Sequence, residues 1–479
     1  MATIDLNAES IPVDSPFLPL IQGNILRGFG RDHSRWIFFR LGTDPAVARS
    51  TLASLAGYVT TAQQQELWRQ EKNASEPDPC QRYKASRTKN LYGNLFLSRA
   101  GYDAIGLANL ASELSRREFH LVQHELISAE RKLFQGGLFE PGMASSKSAS
   151  ALKDSPGNWS KCHFDPSRPW SAMLLLTSDD EERLELALSE VLPIVQDNHV
   201  EVGRVLRDEQ CRPREHFGYL DGRSQPLFFK DALDKDTSVA RWKPAAPLKL
   251  ALIADPGAED KGGYGSFLVF RKLQQDVAQF DAMVGDLAQA IDPAEPDLAR
   301  AGAMLMGRFK DGTPLVLSDK PEALPVPAND FDHKTEDPHF LRCPAFAHTR
   351  RSNPRSDQPD QTTKVQQSRI ARRGVPYGEP GDKEVGLLFA AFMSSIVGQF
   401  VTIQRSWANT PHFMLGQPGI DPVIGQGAAN PDQDFPKHWN GVPDDSRKTF
   451  RLEHAVTLLG GDYFFAPSIP FLDSLKDPA

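Results

Sequence analysis

Three short segments of this 479-residue chain set titratable or cationic side chains among glycines, prolines and aromatics. That composition marks irregular segments, where binding and chemistry concentrate. In the first, HFGYLDGRSQP (His216 to Pro226), Asp221 lies between Leu220 and Gly222. An Asp-Gly pair by itself specifies only a turn. In the second, Asn329 to Arg355, His348 follows Pro344, Ala345, Phe346 and Ala347, an apolar approach that suits a neutral imidazole facing a metal centre as well as a purely structural histidine. Cys343 is the rival ligand, as a thiolate, or a small buried hydrophobe. The third, SRIARRGVPYG (Ser368 to Gly378), carries Arg369, Arg372 and Arg373. With Arg350, Arg351, Arg355 and Lys364 it forms the most basic stretch of the chain and calls for an acidic partner: a phosphate, a carboxylate or RNA.

The rest of the sequence narrows the field. A net charge of −8 argues against a surface built for nucleic acid or anionic lipid. Four cysteines (Cys80, Cys162, Cys211, Cys343) without a CxxC pair suggest neither a disulfide framework nor a zinc ribbon, which fits a reducing compartment. The first residues, MATIDLNAESIPVDSPFLP, lack the basic start and apolar block of a secretory signal, so a cytoplasmic protein is expected. Val385 to Ile403 is uncharged and close to the roughly 20 residues that span a bilayer, but its Gly, Ser and Gln residues favour a buried strand followed by a core helix. Walker, GxSxG and HExxH motifs are missing. His120 and His124, four apart, lack a third ligand and read as a solvated helix pair.

The elements that must carry these segments alternate between strand and helix. Strands are expected at Trp36 to Gly42, Asn90 to Ser98, Ser171 to Asp180 and Gly265 to Arg271. Helices are expected at Asp44 to Ala56, near Tyr102 to Leu107, after Asp180 and from Leu273 to Ile291, with an exposed loop from Pro141 to Ser160. The rhythm is ferredoxin-like and recurs, predicting an α+β chain of two ferredoxin-like domains, residues 1–217 and 218–479, with antiparallel sheets and peripheral helices.

Taken in order, the motifs resemble the dye-decolourising peroxidase family. Gly218-Tyr219-Leu220-Asp221-Gly222 fits its GxxDG signature, Asn329 to Arg355 is similar to its proximal segment, and Arg369 to Gly374 to its distal arginine segment. Ile21 to Gly28 and Gly461 to Ser468 extend the likeness over nearly the whole chain. The resemblance implies a dimeric α+β barrel-like fold, with haem b in the C-terminal domain and His348 as the iron ligand. Asp221 would move the peroxide proton, and Arg372 would stabilise the charge that develops as the O–O bond breaks. Arg355 would meet a haem propionate, Leu387 and Phe389 would line the distal pocket, and Gly222 and Ser224 would contact the cofactor. It also implies hydrogen peroxide and organic electron donors such as dyes and phenols as partners, one-electron oxidation, and a preference for acid. A carboxylate beside an arginine stays ionised where a histidine base would be protonated. Trp407, Tyr377 and Trp439 are the candidate electron relays. No nucleic acid or membrane partner is implied, and a homo-oligomer is compatible with the pattern. One departure is that Leu387 to Arg405 contains no Asp or Glu to hold the second nitrogen of the iron ligand, so a backbone carbonyl or an Asn or Gln is expected there. The other readings are a haem-handling protein with incidental peroxidase activity and an RNA-binding protein using Arg350 to Arg373.

Overall fold

The computed structural model describes residues 4–70, 90–236, 240–357, 362–413, 419–427, 432–439 and 448–476. Its main strands are β1 (His33–Arg40), β2 (Tyr92–Leu97), β3 (Ala172–Ser178) and β4 (Asp197–Arg204), then β5 (Tyr264–Gln275), β6 (Val375–Tyr377), β7 (Gly386–Met393) and β8 (Val456–Ala466). The helices that shape the site are α1 (Pro45–Leu55), α2 (Ala108–Val122), α3 (Glu181–Val191), α4 (Val277–Ile291), α5 (Leu298–Met306), the short α6 (His348–Ser352) and α7 (Ile396–Ala408), which is of π type.

The strands hydrogen-bond in the order β6-β7-β5-β8-β2-β3-β1-β4, antiparallel throughout. The first four strands are ordered β4-β1-β3-β2 and the last four β8-β5-β7-β6, the same 4-1-3-2 order twice. The crossovers are also equivalent, α1 and α3 in the first set and α4 and α7 in the second. This is the βαββαβ ferredoxin-like arrangement. The two sets share one core: Trp36 and Phe38 of β1 lie 5.5 and 4.9 Å from Phe270 of β5, and Phe38 lies 6.1 Å from Phe464 of β8.

Local chemistry explains most element boundaries. Asp44, Asp180 and Asp276 accept backbone N–H groups at the starts of α1, α3 and α4. Two expectations shift. Pairing with β7 and β8 on both sides prolongs β5 to Gln275, so α4 begins at Val277 rather than Leu273. The expected loop at 141–160 contains a helix, Ser146–Leu152, with Ala151, Leu152 and Trp159 buried. Its Ser/Ala-rich sequence carries almost no apolar periodicity, and its start is set instead by the Ser145 side-chain cap. Cys211 is disulfide-bonded, against the expectation of no bridges, because the lack of close spacing says nothing about cysteines that meet through the fold. Cys80 lies outside the described residues. Residues 385–403 divide into β7 and most of α7, and no helix among the described residues is long and apolar enough to cross a membrane. His120 and His124 are both exposed.

One buried side chain from the first half organises α7. Glu118 of α2 is fully buried; its Oε1 accepts the N–H groups of Leu138 and Phe139 (2.5 and 3.0 Å), and its Oε2 accepts those of Ile396 and Val397 (2.8 and 3.4 Å) at the α7 N-terminus. Burial pushes its carboxyl pKa up, opposed by these four donors. The donors would otherwise be buried without acceptors, at a cost of about 1–3 kcal/mol each. Glu118→Ala is therefore expected to lower unfolding stability by about 3 kcal/mol or more, read as a shift of the denaturant midpoint.

Candidate functional site

A cavity of about 710 Å³ opens between β5, β7, α6, α7 and the Asp221 loop, a volume in the range of cofactor pockets. His348, Asp221, Gly222, Ser224, Arg355, Arg372, Leu387 and Phe389 all line it. The structure thus brings these eight residues to one cavity and leaves out the rival ligand Cys343.

His348 opens α6, which rests on a small second core formed by α4 and α5 with Phe346 and Ala347. Gly307 ends α5 at φ +86°, and a Cβ there would lie 2.0 Å from Thr349 Oγ1, so glycine permits this approach. Two buried arginines fix α6 from behind. Arg350 is held by Asp337 and Asp357 (2.9 and 2.7 Å), and Arg351 donates to the backbone carbonyls of Trp407 and Gly419.

His348 Nδ1 lies 2.9 Å from Asp421 Oδ2, and Asp421 is completely buried. The Oδ1 of Asp421 accepts the N–H groups of Val423 and Ile424 at 2.8 and 3.0 Å. Burial raises the Asp421 carboxyl pKa, but His348 and the two N–H donors outweigh it and hold it below the ordinary range. A carboxylate here selects the tautomer with hydrogen on Nδ1, leaving the lone pair of Nε2 directed to the cavity side of the ring. Nε2 has no hydrogen-bond partner among the described residues. The expected backbone or amide substitute is therefore replaced by a real carboxylate, supplied from well beyond Arg405. An acid embedded in Ile420-Asp421-Pro422-Val423-Ile424 was the available signal. Cys343 does not line the cavity, and burial pushes its thiol up to about 12, which removes it as a rival ligand.

On the opposite wall, Asp221 sits at the tip of a braced loop. Its N–H donates to Pro213 O (3.0 Å), and Gly222 N donates to its Oδ1 (2.6 Å). Half-buried Glu215 accepts from Phe217 N, Tyr219 N and Gln275 Nε2 at 2.6 to 2.9 Å. Arg372 belongs to a two-residue strand paired with β7 and donates to Arg223 O at 2.7 Å; burial pushes its guanidinium pKa down, opposed by the charge of Asp221. Leu387 and Phe389 alternate with buried Leu388 and Ala390 along β7, so the strand period directs the first two to the cavity.

At one end, Arg355, Arg308 and Ser224 converge on Asn329, whose Oδ1 accepts from Arg308 (3.0 Å), Arg355 (2.9 Å) and Ser224 Oγ (2.5 Å). Ser224 and Arg355 both hold positive φ, 59° and 53°, an uncommon conformation for such residues. Arg308 and Arg355 form no ion pair with described residues; burial and mutual repulsion push Arg355 well down, and burial with neighbouring arginines pushes Arg308 down to about 9. Buried cations without counter-charges favour an anionic occupant, and a haem fits: two propionates at the arginine end, apolar walls from Leu387, Phe389, Phe400 and Ile403, and an imidazole nitrogen free for iron. The basic stretch seen in the sequence thus turns inward. Arg350, Arg351, Arg355 and Arg369 are buried, so they offer no surface to RNA.

Of the candidate relays, Trp407 is buried and lines the cavity, Tyr377 is buried, and Trp439 is partly exposed, with its Nε1 bonded to Leu315 O.

Comparisons with known proteins agree with this geometry. A family model described as "Dyp-type peroxidase, C-terminal" matches residues 302–413. The multifunctional dye peroxidase DyP2 of Amycolatopsis sp. is 43% identical over 54% of this chain and 61% of its own length. Peroxidase 2 of Mycetinis scorodonius is 30% identical over 94% of this chain and 85% of its own. A DyP-type peroxidase of Anabaena sp. superimposes with a TM-score of 0.84 at 31% identity, covering 99% of this chain and all of that one. By fold, cavity and sequence, the chain belongs to the dye-decolourising peroxidase family of haem-dependent peroxidases.

Proposed function

We propose that the chain reduces hydrogen peroxide and oxidises dyes, phenols or similar donors by single electrons, best in acid, with His348 Nε2 binding the iron of haem b. The observation that carries this is the buried Asp421, which fixes the tautomer whose free nitrogen faces the cavity side. Haem b, when bound, supplies the iron at which the peroxide bond breaks and from which electrons are drawn back out of the donor. Arg355 and Ser224 hold a propionate, Leu387 and Phe389 keep water from the distal face, and Gly222 gives the Asp221 loop room to approach the cofactor. The chain divides near Gly218, 1–217 carrying β1 to β4 and 218–479 carrying β5 to β8; the repeated strand order supports this division.

Asp221 would take a proton from one oxygen of hydrogen peroxide and return it to the other, which leaves as water, while the haem, when bound, would supply the two electrons and retain the remaining oxygen. Arg372, held by Arg223 O, faces the charge that develops on the departing oxygen. An ordinary carboxylate is protonated near pH 4 and an ordinary imidazole already near pH 6.5, so a carboxylate base keeps working in acid where a histidine would not. The peroxide step should therefore hold its rate from neutral pH down to about pH 5, where a histidine base would already have lost most of its activity, provided the donor step does not limit it.

Three outcomes test the assignment. His348→Ala, purified with haem supplied, should lose the histidine-ligated ferric spectrum; an unchanged spectrum would remove His348 as ligand. Asp221→Asn should keep the haem spectrum while the peroxide reaction, followed by stopped flow, slows by about 10²- to 10⁴-fold. Full haem with an unslowed reaction would instead favour a haem-handling protein. Asp421→Asn should raise the ferric/ferrous potential, because a neutral partner stabilises the ferric state less; a tenfold loss of that preference reads as about 59 mV in spectroelectrochemistry.

A further inference from the structure

Outside the haem cavity, a second group of ligand-type side chains gathers on β4, within reach of Lys272 from β5. His199 and Glu201 stand two apart on β4 and so share a face. His163 comes from a turn fixed on several sides: Ser160 N donates to Leu459 O, His163 N to Ser160 O, and Trp170 Nε1 to His163 O at 2.8 Å. One ligand atom from each of His163, His199 and Glu201 lies within 4.8 Å of the others. His199 Nε2 is 2.7 Å and His163 Nδ1 3.9 Å from the same Glu201 oxygen. Two ligands on one tetrahedral zinc ion lie on the order of 3.4 Å apart, given bonds of about 2.0–2.2 Å, so the two spacings to Glu201 bracket the required edge. The His163 and His199 rings are stacked, 4.1 Å between centroids and 13° between planes, so the more exposed His163 ring has to turn for both lone pairs to meet one ion.

We infer that His163, His199 and Glu201 form a binding site for a late first-row divalent cation, with Zn²⁺ as its simplest occupant. Two imidazoles and one carboxylate suit zinc, copper or nickel better than magnesium or calcium, which prefer all-oxygen shells. Three protein ligands leave a fourth position for water. The neighbouring cation does not block the site. Lys272 Nζ donates to Glu201 Oε1 at 2.8 Å, but it also reaches Glu384 Oε1 at 3.1 Å and lies 4.7 Å from the Tyr377 ring centre, so it keeps a counter-charge when the metal takes Glu201. The Tyr377 hydroxyl beside it is buried without a hydrogen-bond partner, a polar atom available to a metal-held water. Phe38 and Trp170 wall the His199 ring, at centroid distances of 6.4 and 6.3 Å, and limit competition from solvent.

The test is calorimetric titration of tag-free, chelator-stripped holoprotein with ZnCl₂. One equivalent should bind, with no change in the haem absorption band, and His163→Ala and His199→Ala should each weaken binding at least tenfold. His163 lies at the rim on a turn, so its replacement is the variant least able to disturb folding. A wild type that takes up no zinc, or a His163→Ala protein that binds it as tightly as wild type, overturns the site.

Discussion

A buried carboxylate with one hydrogen-bond donor side chain and two backbone donors decides what the His348 ring can do. Asp421 has no solvent exposure, so its charge is tolerable only because His348 Nδ1 and the N–H groups of Val423 and Ile424 face it. The same contact fixes the ring in rotation and in tautomer. The scaffolding around α6, including buried Arg350 and Arg351 and the glycine that ends α5, holds the ring where that contact forms.

The opposite end of the cavity follows the reverse logic. Arg308 and Arg355 are buried cations satisfied by carbonyls, Asn329 and Ser224 but by no carboxylate of the described residues. A protein relieves such a deficit by changing protonation or by binding an anion. Among the described residues, charge is balanced on the His348 side and left open at the arginine end.

Much of this was legible in the sequence where function resides in contiguous motifs. The GxxDG turn, His348 after its apolar approach, and Arg372 and Arg355 among glycines and prolines all reached one cavity. Asp421 was not legible, because the pairing of a helix residue with a carboxylate 73 positions away is set by tertiary packing, and it lies well beyond the stretch near β7. The inward turn of Arg350, Arg351 and Arg369 was equally hidden: a run of arginines has one composition whether it faces solvent or carbonyl groups. For the fold, strand and helix types followed from periodicity and capping. The helix at Ser146–Leu152 and the extension of β5 depended on a side-chain cap and on neighbouring strands, which periodicity does not register.

The Glu118 contact has a bearing on recombination. The helix lining the haem cavity begins on a carboxylate contributed by the other half of the chain. A chimera that joins the first half of one relative to the second half of another must therefore inherit a matching acid and helix terminus as a pair. The two halves share an architecture, but they are not interchangeable parts.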